Sequence, residues 1–69
     1  MSETTKYVAT LLPYYRSEHW SEAAAVKALN RAEAESDGEE QGEVIMICRS
    51  GLHRSHTVVY PEPGRTWSN

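Results

Sequence analysis

The chain has 69 residues, 39% hydrophobic and 25% charged, with ten acids against seven bases for a net charge of −3, and one cysteine. This composition is ordinary for a soluble globular domain and excludes collagen-like and strongly disordered classes. A lone thiol makes neither an intrachain disulfide nor a four-thiolate zinc site, and no apolar run approaches the roughly 20 residues of a membrane span.

In chain order, residues 1–5 are polar and expected to fray. "KYVATLL", residues 6–12, is rich in strand formers; Tyr7, Ala9 and Leu11 point one way, Val8, Thr10 and Leu12 the other. Pro13 ends that strand. "PYYRSEHW", residues 13–20, is consistent with a loop or with a short second strand. Ser21 then reads as a helix N-cap ahead of "EAAAVKALNRAEAE", with Glu22 placed against the positive helix start. Its apolar stripe is Ala25, Val26, Leu29 and Ala32, and Leu29 and Val26 are the expected anchors.

"SDGEEQG", residues 36–42, is a loop. "EVIMICRS", residues 43–50, carries five consecutive apolar residues from Val44 to Cys48, the mark of a central strand. A further strand runs through Thr57, Val58, Val59 and Tyr60 until Pro61 and Pro63 stop it. "RTWS" closes the chain, with Trp67 expected to return to the core. The order is β-α-β-β with room for an extra strand at either end. It predicts a single α+β domain over 1–69, one helix packed on a small, mainly antiparallel sheet.

"CRSGLHRS", residues 48–55, resembles the loop of protein tyrosine phosphatases: Cys48, five residues, Arg54, then Ser55. The resemblance implies a thiolate nucleophile with an arginine fork on phosphate. A rhodanese loop is similar but one residue shorter between the glycine and the arginine. Both families run the loop into a helix whose N-terminus faces the anion. Here "HTVVYPEPG" follows, three β-branched residues and two prolines, which predicts a strand. The phosphatase histidine before the cysteine is replaced by Ile47, and the one aspartate, Asp37, lies in a solvated loop. The stretch therefore reads as a hairpin turning at Gly51 through a loop of about three to five residues. Cys48 is then a small apolar side chain, and no residue is catalytic. Cys48, His53 and His56 lack a second cysteine, and no metal or cofactor is expected.

Six acids crowd the helix end and its loop: Glu33, Glu35, Asp37, Glu39, Glu40 and Glu43. Glu33 and Glu35 oppose the macrodipole at a cost of about 0.3–1 kcal/mol, consistent with a surface that attracts a basic partner or with a solvated loop whose charge keeps a small protein soluble. Tyr14, Tyr15 and Trp20 lie in one short aromatic stretch with Arg16, residue types enriched at interface hot spots, and equally suited to capping the open end of the core with their polar tips at the surface. The overall negative charge argues against direct nucleic-acid binding.

In length, acidity, element order, alanine-rich helix and late tryptophan, the layout resembles small phage-encoded anti-CRISPR proteins. That resemblance implies an inhibitor in the host cytoplasm that covers the basic nucleic-acid-binding surface of an effector complex, with the six acids facing the groove. The N-terminus lacks the basic and apolar regions of a secretory signal, and a lone thiol suits a reducing compartment. The alternatives are a homodimeric assembly module pairing through a sheet edge and, more remotely, an enzyme using Cys48 and Arg54.

Overall fold

The apolar run of residues 44–48 takes the middle of a five-stranded sheet. In the computed structural model, which describes residues 3–13, 15–36 and 41–68, the elements are β1 (Glu3–Leu11), β2 (Tyr15–His19), α1 (Glu22–Glu35), β3 (Glu43–Ser50), β4 (His53–Tyr60) and β5 (Thr66–Ser68). Neighbours run in the order β2-β1-β3-β4-β5, and every pairing is antiparallel. This is the expected α+β layout with both extra strands present: "YRSEH" pairs with β1, and "TWS" with β4. Strand β1 begins at Glu3 rather than Lys6, because β3 continues to Ser50 and gives Glu3, Thr4 and Thr5 partners. Those three residues are held in the ladder instead of fraying.

Ser21 caps α1, its hydroxyl accepting the Ala24 N–H at 3.2 Å. At the other end the Ser36 N–H donates to the Ala32 and Glu33 carbonyls, and its hydroxyl to the Glu33 carbonyl at 2.9 Å. The helix lies across β1, β2 and β3. Leu29 and Ala25 are fully buried against Ala9, Leu11 and Val44. Val26 is only partly buried, so Ala25 and not Val26 is the second anchor. An alanine there lets the helix sit close to the sheet, and Leu29 fills the space that remains.

Side chains alternate along each strand, so the registers define two faces. Tyr7, Ala9, Leu11, Val44, Met46 and Tyr15 share the helix side. Where β4 opposes two residues to one at Val44/Ile45, the extra residue turns Val59 and Tyr60 toward the same core. The Tyr60 hydroxyl reaches Asn30 Oδ1 at 3.2 Å. Among the described residues the other face carries no helix, and only its centre, Val8 and Val58, is buried.

Gly42 joins the loop to this core. Its N–H donates to Glu33 Oε2 at 2.8 Å, and a Cβ at this position would collide with the Thr10 carbonyl oxygen and the Leu29 side chain. We expect Leu29→Ala to lower unfolding free energy by about 2–5 kcal/mol and Gly42→Ala by about 1–3 kcal/mol. Urea unfolding followed by far-UV circular dichroism checks both, and wild-type midpoints would show that this packing does not carry the fold.

Candidate functional site

The two-residue turn Gly51–Leu52 decides what the motif of residues 48–55 becomes. Gly51 has φ 62°, the left-handed conformation that a glycine-first hairpin connection needs. Ser50 then faces His53, Arg49 faces Arg54, and Cys48 faces Ser55. Arg54 and Cys48 therefore project from opposite faces of the sheet. No single anion can meet both the thiol and the guanidinium in this arrangement. The Cys48 sulfur accepts a long hydrogen bond from the Thr5 hydroxyl at 3.8 Å, on the helix side, where it is half-buried.

The open face can be read row by row from the registers. Thr4, Arg49 and Arg54 form one row, and Lys6, Ile47, His56 and Trp67 the next. Glu18, Val8, Ile45 and Val58 follow, then Arg16, Thr10 and Glu43. Trp20, one residue past β2, lies beside Lys6, whose Nζ is 5.3 Å from the ring centroid. Trp67 stacks on His56 with centroids 5.1 Å apart and planes within 2°, and the Arg65 guanidinium sits 5.7 Å from its ring. Trp67 thus stays on the surface, 40% exposed, instead of entering the core as expected. Core space on the helix side is already filled by Val59 and Tyr60, and register puts Trp67 on the other face.

Charge on this face is one-sided. Among the described residues it carries Lys6, Arg16, Arg49, Arg54 and Arg65 against Glu18 and Glu43, a net of +3 in a chain of net −3. Glu18 bonds Lys6 at 3.2 Å and Arg16 at 3.1 Å. The Lys6 ammonium, and after it the Arg16 guanidinium, holds its carboxyl below the usual carboxylate range. Arg65 bonds both oxygens of Glu43 at 3.1 Å. Arg49 and Arg54 stand opposite one another, both exposed, with no acid bonded to either among the described residues. Thr4, Lys6, Val8, Arg16, Glu18, Ile47, Arg49 and Arg54 enclose a shallow depression of about 250 Å³.

The three described acids of the expected surface have different partners. Glu33 is engaged by Gly42, Glu35 by Arg31 at 3.5 Å, and Glu43 lies on the open face with Arg65. Asp37, Glu39, Glu40 and Tyr14 lie outside the described residues. Tyr15 packs against the core on the helix side, whereas Trp20 is 73% exposed. Sequence reasoning passed over Lys6, Arg49, Arg54, Arg65 and Trp67 as a group. The signal that finds the arginine pair is the turn length: a two-residue connection at Gly51–Leu52 places Arg49 directly across from Arg54.

Among the described residues no cluster of three histidine, cysteine or acidic side chains is placed to hold a metal ion, and no helix is long and apolar enough to cross a membrane. Neither a family model, nor a curated protein, nor a solved structure matches the chain.

Like charges directly opposite on neighbouring strands destabilise a sheet, whereas opposite charges contribute about 0.2–1 kcal/mol. Arg54→Glu should therefore stabilise the isolated protein by about that amount, read from the urea midpoint at low salt. An unchanged or lowered midpoint would mean that the arginine pair carries no repulsion.

Proposed function

We propose that the protein is a binding module that takes an anionic macromolecule against the open face of its sheet. The Arg49–Arg54 pair carries this reading: two exposed like charges are held opposite one another with no acid bonded to them among the described residues. An arrangement that disfavours the isolated fold is offset when an anion bridges both guanidinium groups. Lys6 and Arg16 flank the same depression. Glu18 holds them in place and also competes with the ligand for them. A one-sign face on a chain of opposite net charge orients approach as well as attracting it.

A second reading starts from the acids of the sequence. Glu33, Glu35, Asp37, Glu39, Glu40 and Glu43 crowd within eleven residues with no base among them, Arg31 being the base that precedes them. Those acids suit the inhibitor role implied by the anti-CRISPR-like layout, with a basic groove as partner. Reversing Glu39 and Glu40 to lysine should then weaken capture of such a partner and flatten its salt dependence.

For the open-face reading, retention on immobilised heparin, a sulfated polyanion, is the direct check. The double variant Arg49→Ala/Arg54→Ala should bind about tenfold more weakly and show a shallower salt dependence, by about one unit for each anionic group no longer neutralised. Glu18→Gln, which releases Lys6 and Arg16, should bind more tightly than wild type. If wild type passes through at low ionic strength, or Glu18→Gln binds no better, the open face is not a polyanion site.

A further inference from the structure

We infer that the occupant of the open face is a single-stranded nucleic acid. This rests on the open-face reading and adds the chemistry of the ligand. Three features of the face bear on it.

First, aromatic rings stand at both flanks of the basic surface. Trp20 is 73% exposed at the β2 edge and Trp67 40% exposed on β5. Neither fills the core formed by Ala9, Leu11, Ala25, Leu29 and Val44. Trp67 is laid flat on His56, whose Nδ1 is buried with no hydrogen-bond partner among the described residues, so packing alone does not favour its position. An acidic peptide would be served by the arginines and has no need of exposed indoles. A nucleic acid presents both phosphates and flat bases, and base–aromatic stacking tolerates any sequence.

Second, cations sit beside those rings: Lys6 at Trp20 and Arg65 at Trp67. Each is placed to move onto a phosphate as a base takes the ring surface, so one nucleotide meets an aromatic and a basic side chain together. Lys6 lies between the two tryptophans in their cross-strand row, and Arg49 and Arg54 stand in the adjacent row, beside the path of a backbone connecting stacked bases.

Third, the shape suits a single strand and not a duplex. Five strands at about 4.8 Å spacing make a surface about 19 Å wide, whereas the major groove is about 12 Å wide and admits one helix or a two-stranded ribbon. The helix is on the opposite face, and the β3–β4 hairpin is flanked by β1 and β5 up to Ser50 and Ser55. A strand with its bases splayed can lie across the sheet.

The test is fluorescence anisotropy with labelled 20-nucleotide single-stranded RNA, single-stranded DNA and the DNA duplex, with tryptophan quenching and a heparin control. Both single strands should bind more tightly than the duplex and quench tryptophan emission. Trp20→Ala should weaken single-strand binding about five- to a hundredfold at unchanged circular dichroism, and Trp20→Phe should restore most of it. Arg49→Ala/Arg54→Ala should flatten the log K against log salt slope by about 1 to 1.5. Stronger binding of RNA than DNA would assign a role to the ribose hydroxyl, and equal binding would identify bases and phosphates alone. Heparin or polyglutamate retention without single-strand binding overturns the inference while leaving the open-face reading intact. So does equal affinity for duplex and single strand with no effect of Trp20→Ala. Failure to bind any polyanion removes both.

Discussion

The seating of Leu29 and Ala25 on Ala9, Leu11 and Val44 is the contact from which the rest of the molecule follows. An alanine-rich helix has little apolar area to bury, so it covers one side of the sheet and lies mainly across three of its five strands. Gly42 and Glu33 fasten the loop after the helix into that contact, with the glycine present because Thr10 and Leu29 leave no room for a side chain. Among the described residues no second layer covers the other face. That face is consequently built from amphipathic and charged side chains over a narrow buried centre at Val8 and Val58.

Two-residue alternation then separates charge. On β1, Lys6 is on the open side while Tyr7 and Ala9 go under the helix; on β3, Arg49 is open while Val44, Met46 and Cys48 face the other way. On β4, Arg54 and His56 are open. The outcome is a positive sheet face on a negative chain. Net charge, which speaks against a polyanionic partner when it is averaged over the molecule, loses that force once five of the seven bases occupy one surface. The tryptophans beside Lys6 and Arg65 add exposed aromatic rings to this charged surface, the combination on which the proposed single-strand binding rests.

The stretch from Cys48 to Ser55 shows how much a turn can decide. A phosphatase-type loop gathers its cysteine and arginine around one anion by wrapping the chain into a helix N-terminus. The same residue types on a hairpin are distributed by parity, so the cysteine and the arginine part company and the arginine gains another arginine as its neighbour. The three β-branched residues that follow His56 are sufficient to predict extended chain. The connection is tighter than the expected loop, and that difference in length sets which side chains face each other.

Local signals in the amino-acid sequence determined the elements. Ser21 and the alanines define the helix to the residue, the apolar run of residues 44–48 defines the central strand, and the prolines end strands where expected. Those signals act between residues near in sequence, which is why they are legible there. The second strand is ambiguous in sequence because "YRSEH" has no apolar alternation of its own and is extended through pairing with β1. Tertiary structure alone decided that Glu33 and Glu43 serve different faces, that Trp67 lies on His56, and that Lys6, Arg16 and Trp20 share a surface with Arg49 and Arg54. Such proximities depend on strand order and on a register bulge between distant segments, and no single stretch of the chain encodes either.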